Sequence, residues 1–362
     1  MKIKKVLSIL CVLALVFTAL AGCSQQPAAA EPAEEPAAAT EAPAAEAVTE
    51  EAEEDPGYDT EKVYEIKLTS NDPITAIWMQ QIQAATERIK ERTNGKVDIQ
   101  VYASGEMLVG DEGIEAVMSN TAVFYFIAPS AFADYVPVYK TICAPYLWES
   151  YEDVEKFMET DMMADMDAEA NAAGIHGIVT NFVVGCRNTL ANVPINTVDD
   201  FKGLKIRVPN NTIYADLFGA MGANYMAMAF SEVFSAMETG MIEAVEVTPG
   251  NAVPTKLWEA LKTPHYSLTK HLLNVVGLFT GEEFWQSLPE PYRVIIQEEL
   301  NTAALTGNQE VGDQDASLIR EMVDAGVVLV EPDLTSFQEA FAPVGAQYFR
   351  FDEVVEAVRA LD

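Results

Sequence analysis

Two arginines, Arg187 and Arg207, carry the chemistry that this sequence offers most clearly. They lie within residues 185–209 of a 362-residue chain whose formal net charge is −34. Arg207 sits inside an apolar run at 204–209 that has the composition of a buried strand. A guanidinium in such a setting needs an anion, because an unpaired buried charge is costly. The anion is either a bound ligand or an acidic side chain of the protein itself.

The rest of the folded part of the chain is too acidic to attract polyanions. After the first 57 residues, 19 basic and 46 acidic side chains remain, so this part carries about −27. Such a charge argues against nucleic acid and anionic lipid surfaces as partners. An anionic ligand must then be held by local, preorganised cations, which gives weight to the two arginines.

No other residue types have a spacing typical of catalysis or metal binding. His176, His265 and His271 are scattered, without the pair spacing of metal ligands. No Ser, His and Asp arrangement has a recognisable spacing either. We therefore expect no metal, no cofactor and no enzymatic activity.

Cys143 and Cys186 are the two cysteines of the folded part. An exported protein can pair them in a disulfide, and two small buried thiols are an equally good interpretation. The sequence does not decide between these, because it does not show whether their backbones come close enough to be bridged.

The first 57 residues have the pattern of an export signal followed by a tether. Three lysines precede an apolar run that is too short for a membrane span and ends in Leu20-Ala21-Gly22-Cys23. This ending resembles the lipobox of bacterial lipoproteins, in which residues 1–22 are removed and Cys23 is lipidated; secretion with an unmodified Cys23 is the alternative. Residues 23–57 are rich in Ala, Pro and Glu and predict a disordered tether, because they cannot form a packed core. Its prolines oppose a helix docked on the body.

Hydrophobic periodicity predicts alternating strands and helices in the body. The predicted strands are 64–69, 97–102, 122–127, 175–184, 204–209, 241–247, 274–279 and 327–330. The predicted helices are 74–92, 112–119, 151–173, 212–221, 231–240, 290–324 and 334–349. The first strand, helix and strand form a βαβ unit, which predicts a mainly parallel sheet. The helix at 290–324 is long enough to brace two domains.

Four short stretches recur in the order of a known family. They are Thr93-Asn94-Gly95-Lys96 with the following Gly105 and Gly110-Asp111; Gly185-Cys186-Arg187-Asn188; residues 201–209; and Met228-Ala229-Phe230-Ser231-Glu232-Val233 through Thr239-Gly240. Spread over about 64–260, they resemble the solute-binding proteins of tripartite ATP-independent periplasmic (TRAP) transporters, of the dicarboxylate-binding type. Each motif alone is common, and the set together is specific.

The resemblance implies a two-lobed α/β fold of the periplasmic-binding-protein type, with a ligand cleft between the lobes. Lobe I would comprise 58–184 plus 273–312, and lobe II 185–272 plus 313–362. Crossing strands and the long helix would link the lobes.

The resemblance also implies roles for individual residues. Arg207 matches the arginine that pairs with the ligand carboxylate, a role that suits the fixed fork of a guanidinium. Arg187 matches a second arginine that adds contacts to the same ligand. Phe230 matches a position that lines the cleft. Loops near Asn71 and at 128–130, which include Ser130, would complete the cage. The alternatives are an internal ion pair for Arg207, a loop-bracing role for Arg187 and a core position for Phe230.

The sequence departs from the family pattern at two positions. Val247 stands where many members have an asparagine whose amide touches the ligand, and its side chain has no donor; Thr248 is displaced by one position. Tyr225 stands where proline is usual. These changes leave the ligand class, a small organic acid anion, in place and leave its identity open.

The implied function is capture of such an anion outside the cytoplasm and delivery to a TRAP permease, with the protein held on the membrane by its lipid. Closure of the lobes around the ligand would be the signal that the permease reads. A ligand sensor for a signalling receptor would use the same binding module. An exported enzyme is the rival from another class.

Overall fold

The computed structural model describes Asp59 and residues 61–361. The predicted signal peptide at 1–22, the lipidation site Cys23 and the tether at 23–57 lie outside the described residues. Over residues 61–361, no helix combines the length and apolar character needed to cross a membrane.

Nine strands form one sheet within the described part of the chain. They are β1 (Tyr64–Ser70), β2 (Val97–Tyr102), β3 (Val123–Ile127), β4 (Ile175–Ala191), β5 (Lys205–Val208), β6 (Asn224–Ala227), β7 (Ala244–Val247), β8 (His265–Gly281) and β9 (Val328–Val330). Their order is β2-β1-β3-β8-β4-β7-β5-β6, and β9 pairs with β8.

Twelve α-helices connect and cover these strands in the same part of the chain. They are α1 (Ile77–Arg92), α2 (Asp111–Met118), α3 (Val138–Thr141), α4 (Tyr151–Met158), α5 (Asp161–Ala172), α6 (Thr212–Ala220), α7 (Val233–Glu238), α8 (Pro249–Ala252), α9 (Glu282–Gln286), α10 (Glu290–Asp324), α11 (Thr335–Gly345) and α12 (Phe351–Arg359). Short 3-10 helices cover Pro129–Phe132, Val198–Phe201, Phe230–Glu232 and Leu257–Ala260.

The sheet is built on one long antiparallel ladder between β4 and β8. Its register runs from Ile175 opposite Gly281 to Ala191 opposite His265. One parallel group, β1 to β3, adds to the β8 edge through Tyr125 opposite Phe279. A second parallel group, β5 to β7, adds to the β4 edge at the other end of the ladder, through Asn188 opposite Val247. This arrangement is a two-lobed α/β fold in which β4 and β8 run through both lobes.

Helix α10 braces this sheet as the sequence predicts. Its buried residues recur at helical spacing, for example Tyr292, Ile296, Leu300 and Ala304. Through this stripe it packs against α1, β4 and α8. A single 35-residue helix therefore supports both ends of the ladder.

The predicted elements are confirmed in type, and several differ in extent. The βαβ unit is confirmed, because β1 and β2 are parallel, but the sheet is mixed, since its two longest strands are antiparallel. The helix predicted at 151–173 is two helices. Thr160 caps the second one by accepting a hydrogen bond from the Met163 backbone N–H at 3.3 Å.

The strands predicted at 175–184 and 274–279 are each part of a 17-residue strand. Gly185 looks like a strand end in the sequence, and its φ is +103°. The pairing of β4 with β8 is irregular between Val183 and Cys186, where Gly185 lies, and the ladder continues beyond this point. Strand β6 and helices α3, α8 and α9 are too short to be predicted, whereas α12 was not predicted although its nine residues have an amphipathic pattern.

Candidate ligand-binding site

The carboxyl ends of the two parallel groups point toward each other. Strand β3 runs parallel to β4, since both are antiparallel to β8, and it ends with Ile127 opposite Gly277. Strand β7 runs antiparallel to β4 and ends with Val247 opposite Asn188. The gap between these ends, here called the crevice, is where α/β sheets bind ligands. The segments after β1 and β3 face those after β5, β6 and β7.

Arg187 on β4 forms a two-point ion pair with Glu246 on β7. Its Nη2 donates to Glu246 Oε1 at 2.6 Å, and its Nε donates to Glu246 Oε2. Glu246 is fully buried. Burial raises the pKa of this carboxyl, but Arg187 and His271 outweigh that effect and hold it below its usual value. The charge of Arg187 is therefore matched within the protein.

Arg207 on β5 lies beside the same carboxylate without a hydrogen bond to it. Its Nη1 is 3.7 Å from Glu246 Oε1, while its Nε and Nη2 donate to the backbone oxygen of Met228 at 3.0 and 2.8 Å. Its side chain is only 5% exposed. Burial lowers the pKa of Arg207 to about 10, because Glu246 offsets the loss of water only in part and Arg187 adds repulsion. Arg207 is thus a buried cation held in place by a neutral acceptor.

His271 on β8 completes this cluster, although sequence reasoning considered it only as a metal ligand. Its Nε2 is 3.6 Å from Glu246 Oε2, and its Nδ1 is 3.0 Å from Thr269 Oγ1. Burial is the main cause that lowers the pKa of His271 below its ordinary value. Burial therefore favours the neutral imidazole. Two arginines and one glutamate leave a net charge of +1 at the site.

Aromatic rings flank both guanidinium groups. The Phe230 ring centroid is 5.7 Å from Arg207 Cζ, and the Tyr214 centroid is 5.2 Å from Arg187 Cζ. Phe230 is half-buried and Tyr214 is buried. Both rings restrict the orientation of the arginines by cation–π contact. The structure thus brings Arg187, Arg207 and Phe230 together.

Ser130 lies across the crevice from the arginine strand. Asn211, which follows β5, donates from Nδ2 to Ser130 Oγ at 2.9 Å. Asn211 also caps α6 by accepting from the Ile213 backbone N–H at 2.9 Å. A small cavity of about 20 Å³ is bordered by Ser130, Asn211 and Tyr214. The two sides of the crevice are in contact here.

Asn71 and Val247 lie at strand ends but not beside the arginines. Asn71 is exposed, directly after β1. Val247 is fully buried in an apolar cluster with Leu190 and Val245. Because side chains alternate along a strand, Val247 points to the opposite face from Glu246. Its side chain does not reach the guanidinium groups, whereas Thr248 follows on the face of Glu246.

Cys143 and Cys186 are free thiols in the structure. Burial raises the pKa of Cys143 to about 11 and that of Cys186 to about 12. Neither thiol is activated for chemistry. Over residues 61–361, no group of three or more His, Cys, Asp or Glu side chains is placed to hold a metal ion.

A two-lobed α/β fold with a buried cation at the crevice between the lobes is typical of one class of proteins, the solute-binding proteins. Residues 70–352 match the family of bacterial extracellular solute-binding proteins, family 7 (DctP), and the chain belongs to this family.

Comparisons with individual proteins support this family assignment. The chain is 27% identical over 286 residues to the C4-dicarboxylate-binding periplasmic protein DctP of Rhodobacter capsulatus, which covers 76% of this chain and 82% of that protein. It is similar to a TRAP periplasmic solute-binding protein of Fusobacterium nucleatum with bound sn-glycerol-3-phosphate, with 30% identity, a TM-score of 0.78 and coverage of 83% and 98%. A TRAP solute-binding protein of Desulfovibrio salexigens, in complex with diglycerolphosphate, gives 27% identity, a TM-score of 0.79 and coverage of 83% and 97%.

Proposed function

We propose that this solute-binding protein captures a small organic acid outside the cytoplasm and delivers it to a TRAP permease. The observation that carries the proposal is Arg207. It is a buried cation whose nearest carboxylate, that of Glu246, is already paired with Arg187. An anionic head group would give Arg207 a charged partner of its own, whereas a neutral ligand would leave it sharing the Glu246 carboxylate with Arg187.

The head group is a carboxylate in this proposal, because a guanidinium fork binds its two oxygens in parallel. A phosphate monoester is the second candidate, and it is favoured by the sn-glycerol-3-phosphate bound to the Fusobacterium relative. Both head groups fit the same donors. A sugar acid, a keto acid and a dicarboxylate all remain within the carboxylate class.

Lobe closure around the ligand is the proposed mechanism. The proposed lobe boundaries, 184/185 and 272/273, lie next to each other in the β4–β8 ladder, where Cys186 pairs with Leu273. Across the proposed lobes, Lys140 Nζ is 2.7 Å from Asp216 Oδ2, and Asn211 bonds Ser130. These contacts fit a closed arrangement of 58–184 plus 273–312 against 185–272 plus 313–362.

In this proposal Arg207 binds the acid group of the ligand. Arg187 holds Glu246 in place and adds contacts to the ligand, and Phe230 forms part of the cleft wall. Asn71 and Ser130 contribute from the opposing loops, and Val247 contributes only through its backbone. Lipidation of Cys23 would keep the protein at the membrane beside the permease. A sensor role would use the same closure with a different membrane partner.

The test is a thermal-shift screen followed by calorimetric titration with monocarboxylates, dicarboxylates, sugar acids and phosphate monoesters. A ligand of the folded state at 100 times its Kd stabilises by about 2.7 kcal/mol. We expect at least one acid class to raise the melting temperature. We expect Arg207→Ala to weaken the binding of that acid at least about a hundredfold, which corresponds to a loss of roughly 3 kcal/mol of binding free energy.

The matched control is Arg320→Ala, since Arg320 is exposed on α10; it should leave affinity unchanged. Stabilisation by neutral sugars alone, or unchanged affinity in Arg207→Ala, would refute the assignment.

A further inference from the structure

The hydroxyl of Thr248 is buried in the crevice without a hydrogen-bond partner among the described residues. The residue is fully buried, directly after β7. Extending the register of Asn188 and Val247 by one residue places Thr248 opposite Arg187. Its Cβ is 3.3 Å from the place where a Cβ on Gly185 would stand, which agrees with that register. A buried donor therefore lies next to the anion-binding cluster.

Trp78 approaches the same place from the other side of the crevice. It lies on α1, is 3% exposed, and its indole N–H makes no hydrogen bond of good geometry within the described part of the chain. Its ring is 3.9 Å from the Cβ position of Gly250, and Thr248 Oγ1 is 4.0 Å from that position. Trp78 and Gly250 both border a partly open cavity of about 100 Å³. The Thr248 hydroxyl and the far edge of the Trp78 ring thus both approach Gly250, while the indole N–H lies on the side of Asp72.

Asp72 supplies an acceptor at the same place. It is half-buried after β1, and its Oδ2 lies 3.4 Å from Ser70 Oγ. Burial raises the pKa of this carboxyl, while the nearby Trp78 N–H, Ser70 and the charge of Arg187 act to lower it. The carboxyl group therefore lies near enough to Arg187 to be influenced by its charge.

This combination of groups suits a hydroxyl and disfavours both a methylene and a second carboxylate. A hydroxyl accepts a hydrogen bond from one donor while it donates to the Asp72 carboxylate. A methylene would leave the buried Thr248 hydroxyl unpaired, which lowers affinity. A second carboxylate would lie against the carboxyl oxygens of Asp72, and the arginine cluster, with its net charge of +1, balances only one negative charge.

We propose that Thr248 and Asp72, with the Trp78 indole beside Asp72, form a hydroxyl-binding subsite, so that the protein selects hydroxylated acids with a single acidic group over their deoxy and dicarboxylate counterparts. The proposal rests on the proposed function, because it assigns the part of the same ligand that lies beyond the acid group. It makes Thr248 a specificity-determining residue.

The experiment is isothermal titration of the purified protein with acids matched in carbon skeleton. The pairs are D-gluconate with hexanoate, D-glycerate with propanoate, and D-gluconate with D-glucarate. We expect the hydroxy acid to bind at least about tenfold more tightly than its deoxy partner, and gluconate more tightly than glucarate. Thr248→Val should remove most of the first difference by weakening only the hydroxy acid, and Thr248→Ser should keep it. Asp72→Asn should reduce the preference for gluconate over glucarate.

Thr280→Val is the matched control. Thr280 on β8 is also fully buried, its hydroxyl has no partner in the described part, and it lies opposite His176, away from the crevice. This variant should leave both affinities unchanged. Melting temperatures of the unliganded variants check the fold.

Equal affinity for hydroxy and deoxy acids in the unaltered protein would overturn the subsite and leave the proposed function standing. Equal weakening of both acids by Thr248→Val would do the same, since it would mean that the hydroxyl only supports the fold. Absence of binding by every acid in the wider screen would overturn the proposed function and the subsite together.

Discussion

At the scale of single residues, two arginines share one carboxylate and contact it in different ways. Arg187 forms the short two-point pair with Glu246, whereas Arg207 donates to the backbone of Met228. Removing Glu246 would leave two buried cations close together. The glutamate is thus what allows both guanidinium groups to stay charged in one buried cluster.

Glu246 gives a pH-dependent prediction. Its folded pKa lies below its ordinary value, so its contribution to stability is fully present above the unfolded pKa and is lost as pH falls through the folded pKa. We expect Glu246→Gln to lower the free energy of unfolding by about 3 kcal/mol at pH 7, since one partner of a buried pair is lost. Urea unfolding at pH 7 and pH 3 measures this. An equal loss at both pH values would contradict the ion pair.

Asp167 on α5 gives a prediction of the opposite sign. Burial raises its pKa to about 6, and its Oδ1 has no hydrogen-bond partner in the described part of the chain. Stability therefore falls as pH rises from the unfolded value near 4 through the folded one. Asp167→Asn should raise the free energy of unfolding by about 1 kcal/mol at pH 7, discounted for partial exposure, with no gain at pH 4. Asp165→Asn, on the exposed face of the same helix, should change little at either pH.

At the scale of elements, the crossing of β4 between the lobes depends on Gly185. Its φ of +103° disfavours any side chain, and a Cβ would stand 3.3 Å from Thr248 Cβ. The ladder is irregular at the same point, between Val183 and Cys186. Gly185 therefore allows the strand to pass the crevice with Arg187 pointing at Glu246.

Two glycine substitutions should move stability in opposite directions. Gly185→Ala should lower the free energy of unfolding by about 1–2 kcal/mol, because the backbone there is strained for any other residue. Gly312→Ala should raise it by about 0.5–1 kcal/mol, since Gly312 lies inside α10 and its nearest neighbour, Tyr151, is 4.0 Å away. Chemical denaturation of both variants measures the difference. Equal effects would show that the conformation of Gly185 is not the cause.

Sequence patterns predicted most elements because burial periodicity is a local property. They did not predict the full length of β4 and β8, because a glycine inside a strand looks like its end unless the partner strand is known. The break at Thr160 was missed since an acidic, methionine-containing pattern continues across it. The arginines stood out as rare charges in apolar runs. Asp72 and Thr248 are common residues that follow opposed strand ends, and His271 joins the cluster from within β8 through long-range strand pairing.

The whole molecule combines an acidic surface with one compact cationic site. The ligand must reach Arg207 against the overall charge of the chain, so we expect salt to speed association of an anionic ligand by screening the repulsion. Stopped-flow measurements between 20 mM and 200 mM salt would show this. A rate that falls as salt is added would indicate local steering by the arginine cluster.

The proposed lipid anchor at Cys23 gives a prediction for the 362-residue chain. Cys23→Ser removes the group that a lipid would modify, so the protein should move from the membrane fraction to the soluble fraction after cell fractionation. Ser24→Ala is the matched control, because it alters the neighbouring residue and leaves the thiol in place; it should stay with the membranes. Retention of Cys23→Ser on membranes would contradict the lipid tether.

The ladder of β4 and β8 also governs how the protein unfolds. Each lobe takes its central hydrogen-bonded pair from the same two strands, so neither lobe has a sheet that survives the loss of the other. Two lobes connected by flexible linkers unfold in separate steps, whereas lobes that share their central strands must unfold together. A single calorimetric transition is therefore expected, with equal calorimetric and van't Hoff enthalpies. The slowest-exchanging amides should fall in the middle of the two crossing strands rather than in either set of parallel strands.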